Sequence, residues 1–254
     1  MALSPLPPSS TGVLRNAPAV EVIYSIRVAV SDAIASERFL EAVKRAFPND
    51  FAEQYEFKAF LGQFVVKHDG TTEQDVKVET AGYRFSSQDK TFLAHHLNQS
   101  LNLNYLKPYI GYDEAIARLK RHWEVYKSVV GTAPITGISL RYIDRIDIPK
   151  TGPTFNLNEY FNMVAKLPDG LHAHHCYQQY WLNDPESDIR ARVIWSSLED
   201  QADHWSFALD TEAILEPANI AEPDQLWTRF DDLHAWCWHV FDQSLTPVCK
   251  AHFQ

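Results

Sequence analysis

Six arginines lie in the middle of stretches that alternate between apolar and polar residues, the pattern of a β-strand with one buried face. An arginine on such a strand either pairs with a carboxylate or serves an anionic ligand, because an unpaired buried charge is costly. The guanidinium group binds phosphate or carboxylate through two parallel hydrogen bonds. These candidate anion-binding residues are Arg27, Arg84, Arg141, Arg145, Arg190 and Arg192.

Strand alternation groups these arginines by face. Arg141 and Arg145 share one strand face, and Arg190 and Arg192 share another. If the faces converge in a curved sheet, they form a concavity that receives an anion. The alternative is internal ion pairing, for which the sequence offers Glu21, Asp144, Asp147 and neighbouring acids.

A weaker candidate is a metal site in the segment His-Ala-His-His-Cys. On a strand, His172, His174 and Cys176 point the same way and offer three zinc ligands. A structural or solvent-facing role fits the same residues, since no fourth ligand is indicated. The chain shows neither a phosphate-binding glycine loop nor a nucleophile elbow. The sequence therefore predicts no cofactor and names no catalytic residue, and whether the chain is an enzyme stays open.

An aromatic segment surrounds Pro108. If Tyr105, Tyr109 and Tyr112 are exposed, they form a partner surface, because aromatic residues are enriched at interface hot spots. If they are buried, they pack an ordinary corner between a strand and a helix.

Composition limits the classes of partner. The formal net charge of −10 argues against binding to duplex nucleic acid, which requires a positive surface. The chain contains no apolar run of about 18 residues, so no membrane span is expected. Three cysteines without paired spacing indicate reduced thiols and a cytoplasmic location. Residues 1–19 read as a flexible arm without a signal peptide.

These residues need elements to position them, and periodicity predicts those elements. A first helix is predicted to begin after Ser36 and to end at Pro48. Further helices are predicted over residues 113–130, 157–164 and 223–245. Strands are predicted over residues 20–30, 57–66, 76–85, 91–103, 135–148, 171–182, 189–198 and 204–215.

The order of these elements predicts an α+β fold, with strands joined by hairpins and therefore antiparallel. We expect two similar lobes of antiparallel sheet covered by helices, residues 20–150 and 151–254, acting as one structural unit with a long C-terminal helix. Tyrosine and arginine stand three apart in both Tyr24–Arg27 and Tyr142–Arg145, which suggests an internal repeat.

Several short motifs, in order along most of the chain, resemble those of a sporadically distributed family of uncharacterised bacterial proteins of about this length. They are NAPAVEV at 16–22 with Ile26 and Arg27, GYRFSS at 82–87, LKPY at 106–109, RYIDRIDIP at 141–149 and Leu233-His234. The resemblance implies a single bacterial module and transfers no activity. Members of that family often carry Asn where this chain has Asp144.

Two functions follow as expectations. The first is a non-catalytic binding or regulatory protein that acts through a protein partner, for example in an antitoxin-like or immunity-like role. The second is a sensor or enzyme for a phosphorylated or other anionic small molecule, bound among the strand arginines.

Overall fold

The computed structural model describes residues 18–30, 34–66, 72–152, 155–164, 175–183, 187–199, 201–218, 220 and 223–253. The fold is α+β, as predicted. The strands are β1 Ala19–Val28, β2 Glu53–Val66, β3 Thr72–Ser86, β4 Phe92–Leu97, β5 Ser100–Leu106, β6 Ile135–Pro149, β7 Tyr177–Asn183, β8 Ile189–Ser197 and β9 His204–Leu215. The helices are α1 Glu37–Ala46, α2 Tyr112–Val130, α3 Leu157–Tyr160, α4 Pro223–Ser244 and α5 Pro247–Lys250.

The nine strands form an antiparallel sheet in the order β2-β3-β4-β5-β1-β6-β9-β8-β7. Hairpins join β2 to β3, β7 to β8 and β8 to β9, as the order of strands in the sequence predicts. At the ends of the sheet, β2 and β7 each pair with one described strand.

The chain divides into two compact units. Unit 1 comprises Met1–Ser25, Tyr105–Ile110 and Ile135–Gln254, and unit 2 comprises Ile26–Asn104 and Gly111–Pro134. This division groups β6 with the C-terminal strands, whereas the sequence placed its residues in the N-terminal lobe. The internal repeat and the two similar lobes are not confirmed and stay predictions.

In unit 1, the long C-terminal helix α4 covers one face of the sheet. Its apolar stripe includes Leu226, Phe230 and Leu233, which are fully buried. The stripe packs on β6, β9 and β8. Alternate apolar residues of these strands are buried on this side of the sheet, such as Ile146 and Val193. The sheet thus buries the apolar surface of α4, which would be unstable in water.

In unit 2, α1 and α2 pack together. Phe39 of α1 stacks on Tyr126 of α2 with ring centroids 5.4 Å apart. The Tyr126 hydroxyl donates to the carbonyl of Leu97 at 2.7 Å, which fixes α2 to the end of β4.

One strand prediction is corrected. Residues 91–103 form two strands, because the chain turns at Asn98 and Gln99 between β4 and β5. Alternation continues on both sides of the turn, and no glycine or proline marks it. Residues 171–174 of the predicted strand 171–182 lie outside the described residues. None of the described helices combines the length and the apolar character needed to cross a membrane.

Candidate functional site

The face of the unit 1 sheet opposite α4 brings together four of the six strand arginines. We call this surface the open face, defined by the outward side chains of β6, β9, β8 and β7. Strand register places Trp181, Arg192, Glu212 and Arg141 in one row across the four strands. On the same face, Arg145 stands four residues after Arg141 on β6, and Arg190 stands two residues before Arg192 on β8. Among the described residues, no helix packs on this face.

Two arginines of the open face are neutralised by carboxylates of β9. Arg141 donates from Nε and Nη2 to the two oxygens of Asp210, at 2.7 and 2.6 Å. Arg192 donates from Nη2 to Glu212 at 2.8 Å. The bidentate bond to Asp210 raises the pKa of Arg141, so this guanidinium stays charged. Both pairs are partly shielded from water, with Arg141 30% and Asp210 12% exposed.

A third, more exposed pair lies further along β6. Arg145 donates from Nε to Asp147 at 3.0 Å, and its Nη2 lies 3.2 Å from the Ser206 hydroxyl. Ser206 in turn donates to Asp147 at 2.6 Å. These hydrogen bonds and the Arg145 charge lower the pKa of Asp147 against the opposing effect of burial. Arg190 is exposed and makes no ion pair with the described residues.

Internal pairing therefore accounts for Arg141, Arg145 and Arg192. The partners differ in part from those suggested by the sequence, because register places Asp210 and Glu212 beside these arginines. Asp144 faces the other side of β6 and is 5% exposed.

Two exposed aromatic side chains border the arginine rows. Tyr177 is 66% exposed and Trp181 is 56% exposed, both on β7. Two large aromatic side chains exposed on one strand face form an apolar patch, and such patches mark candidate interaction sites. The open face thus combines tryptophan, tyrosine and arginine, the residue types that dominate interface energetics.

No protein-family model matches this chain, and no curated protein is significantly similar to it.

The other two candidate arginines belong to unit 2. Arg84 on β3 lies over the ring of Tyr55, with its guanidinium carbon 4.7 Å from the ring centroid. A cation–π contact of this kind holds the guanidinium over the ring face. Arg27 on β1 is half-buried.

The other candidates from the sequence are the tyrosines proposed as a partner surface and the residues proposed as zinc ligands. Tyr105 is 2% exposed and packs edge-on against Tyr24 and Tyr109, so it offers no surface to a partner. Tyr109 and Tyr112 are half-buried. Of the suggested zinc ligands, His172 and His174 lie outside the described residues. Cys176 is described, and the described part of the chain contains no cluster of three metal-ligating side chains.

A chain of polar side chains runs beneath α4 that the sequence did not reveal. The hydroxyls of Tyr24 and Tyr109 lie 2.8 Å apart, those of Tyr109 and Tyr142 lie 3.5 Å apart, and Tyr142 hydrogen-bonds Nδ1 of His234 at 3.0 Å. Burial raises the pKa of Tyr142 well above its usual value, so this hydroxyl stays protonated. The network satisfies hydroxyl groups in the core.

The buried cysteine beside this network is a poor nucleophile at neutral pH. Cys237 donates its thiol hydrogen to the Leu140 carbonyl at 3.4 Å. Burial raises its pKa to about 12, so the reactive thiolate does not form at neutral pH.

A second missed feature is a pair of buried histidines in unit 2. His96 of β4 and His122 of α2 approach through Nε2 and Nδ1 at 3.0 Å, and they are 0% and 1% exposed. Phe47 stacks on His122 with centroids 4.2 Å apart. Burial lowers both histidine pKa values, that of His96 to about 3, so the pair is neutral at physiological pH.

The open-face pairs predict how substitutions change stability. Replacing Asp210 by Ala leaves the Arg141 guanidinium partly buried without its bidentate partner. We expect the free energy of unfolding to fall by about 2–3 kcal/mol, below the ~3–5 kcal/mol of a fully buried pair, because water reaches part of Arg141. Urea unfolding measures this loss.

The Arg145–Asp147 pair provides a matched control. Both side chains are 41% exposed, so Asp147→Ala should cost about 1 kcal/mol or less. Equal losses for the two variants would contradict the assignment of Arg141–Asp210 as the structurally important pair.

Proposed function

We propose that this protein is a non-catalytic binding protein whose open face docks another protein. The observation that carries the proposal is the exposure of Trp181 and Tyr177 beside rows of arginine–carboxylate pairs. Aromatic residues supply desolvation energy at an interface, and arginines supply directed hydrogen bonds. The α4 face of the same strands is occupied by the core of unit 1, which leaves the open face for a partner.

The charge pattern supports a protein partner more than a small anion. Asp210 and Glu212 accept hydrogen bonds from Arg141 and Arg192, so a phosphate would have to displace carboxylates at 2.6–2.8 Å. The alternating positive and negative side chains instead suit a protein partner whose charges alternate in the opposite sense. Such complementarity gives specificity and fixes the register of the two surfaces. Among the described residues, Arg190 is the exposed arginine of this face that makes no ion pair with them, and it is what remains for the anion-binding alternative.

A neutralising role of the antitoxin or immunity type is one form of such binding, and it stays a prediction. Membership of the bacterial family suggested by the sequence motifs is likewise proposed. We also propose a cytoplasmic location, which is supported by the free thiols of Cys176, Cys237 and Cys249.

Site-directed photocrosslinking in the native host tests the proposal. A benzophenone amino acid replacing Arg190 stands on the open face, whereas the same group replacing Thr228 stands at an exposed position of α4. We expect a crosslinked product with a different protein from position 190 and none from position 228. Trp181→Ala should reduce the yield at position 190 several-fold, since hot-spot residues contribute about 2 kcal/mol or more.

The product must contain a second polypeptide species, identified by mass spectrometry. Crosslinking from position 228 alone, or none from the open face at native expression, would contradict the proposal. A product at twice 29.1 kDa with only this chain's peptides would report self-association instead.

A further inference from the structure

Among the described residues, nothing covers the outer edge of β7. β7 stands at the end of the sheet and pairs with β8 alone among the described strands. Its seven residues, YQQYWLN, include no charged residue, proline or glycine. Monomeric proteins normally protect edge strands with charges, prolines or bulges, because a free edge invites another strand. At the opposite end of the sheet, β2 begins with Glu53, Glu56 and Lys58.

The register of β7 determines which backbone groups face outward. The amide of Ser197 donates to the carbonyl of Cys176 at 2.9 Å, so residue 176 is hydrogen-bonded to β8. Hydrogen bonding alternates along an antiparallel pair. The inward residues of β7 are therefore Gln178, Tyr180 and Leu182. The backbone N–H and C=O groups that point to the free edge belong to Tyr177, Gln179, Trp181 and Asn183.

We propose that a second copy of this chain pairs with this edge, β7 against β7 in an antiparallel arrangement about a twofold axis. One register uses all of the outward-facing residues. It places Tyr180 opposite Tyr180 of the second copy, pairs residue 179 with 181, and pairs 177 with 183. Each of these hydrogen-bonded pairs exchanges two backbone bonds.

The side chains are compatible with this self-pairing. No charge lies on β7, so the twofold axis brings no like charges into opposition, although the whole chain carries −10. Trp181 faces Gln179 of the second copy and lies diagonal to the second Trp181, within reach of an aromatic side chain. The contact covers part of the exposed indole, which is 56% exposed in the single chain.

The partner copy thereby extends the sheet and joins the two open faces into one surface. This inference does not depend on the proposed function, because it rests on the backbone edge and not on the arginine rows. A surface with twofold symmetry would bind a partner at two equivalent places.

Sedimentation equilibrium of the full-length chain tests the pairing. We expect a species of twice 29.1 kDa at tens of micromolar protein. Gln179→Pro removes an outward N–H and leaves the β7–β8 bonds in place, since proline is tolerated at the free side of an edge strand. It should weaken dimerisation at least about tenfold, because two hydrogen bonds are lost by symmetry. The matched control Phe57→Lys on β2 should leave the dimer unchanged.

Cysteine crosslinking tests the register and does not depend on how the proline variant folds. Tyr180→Cys places two thiols opposite each other in a non-hydrogen-bonded pair, at about 4.5 Å between Cα atoms, which suits a disulfide. Gln178→Cys separates the two thiols by about 13 Å along the strands. Mild oxidation should give a covalent dimer from Tyr180→Cys only. A monomer at every concentration, a dimer indifferent to Gln179→Pro, or equal crosslinking from both cysteines would overturn the proposal.

Discussion

Asp144→Asn is expected to stabilise the protein at pH 8. Burial raises the pKa of Asp144 from 3.8 to about 7, and the nearby charge of Asp210 adds to the rise. The folded-state pKa therefore lies above the unfolded value. The contribution of this carboxyl to stability is fully present below about pH 4 and is lost as the pH rises through about 7. A shift of this size corresponds to an upper limit of about 4 kcal/mol at pH 8.

The amide of asparagine has nearly the same shape and does not ionise, so it escapes this loss. Urea unfolding at pH 4 and pH 8 should show nearly equal stability of the two proteins at the lower pH and a more stable variant at the higher pH. Asp147→Asn serves as the control. The pKa of Asp147 is lowered, so its replacement should not stabilise the protein at pH 8. A destabilised Asp144→Asn variant at pH 8 would mean that the carboxylate is ionised and held by hydrogen bonds.

The elements of this fold follow closely from the sequence, because long amphipathic patterns leave little choice of structure. Residues 204–215 and 112–130 form the strand and helix that alternation and helical spacing predict. The turn at Asn98 is missed for a physical reason. Both flanking strands bury alternate residues, and Asn and Gln supply no backbone signal as strong as glycine or proline.

The site is less predictable, since it depends on which strands become neighbours. Arg141 and Asp210 are 69 residues apart and meet only because β6 pairs with β9. A shift of one residue in that register would turn Asp210 to the other face. The sequence shows that strand arginines need acidic partners. Which acid pairs with Arg141 depends on two things that the sequence leaves open, namely which face of the sheet each acid occupies and which strand lies beside β6.

The buried histidine pair was hidden from the sequence for a related reason. Adjacent histidines at 95 and 96 show only that they face opposite sides of a strand. The partner of His96 comes from α2, where His122 sits among the residues of an ordinary apolar helix stripe. No motif joins the two positions, and only the packing of α2 brings them together.

Between pH 5 and pH 6.5 the largest effect of pH on stability is expected from this pair. Its folded-state pKa values lie below the unfolded value of 6.5, that of His96 at about 3, chiefly through burial. Stability from the pair is thus present above pH 6.5 and is lost as the pH falls, because the unfolded histidines take up protons that the folded pair excludes. Between pH 6.5 and pH 5 the loss amounts to about 2 kcal/mol for His96. His122 adds a loss of the same sign, because burial also lowers its pKa.

Replacing both partners by apolar residues, as in His96→Leu with His122→Phe, removes the titration without leaving an unsatisfied nitrogen. Burial lowers the pKa of His95 to about 4, so the titration of His95 still destabilises the protein on acidification. The titration of Asp144 stabilises the protein on acidification, because its folded-state pKa is raised. These two remaining titrations are opposite in sign and nearly equal between pH 5 and 6.5. Urea unfolding followed by tryptophan fluorescence should therefore show a steep pH dependence in the parent and almost none in the double variant. Asp144→Asn should be steeper than the parent, and an unchanged slope in the double variant would show that the buried pair is protonated in the folded state.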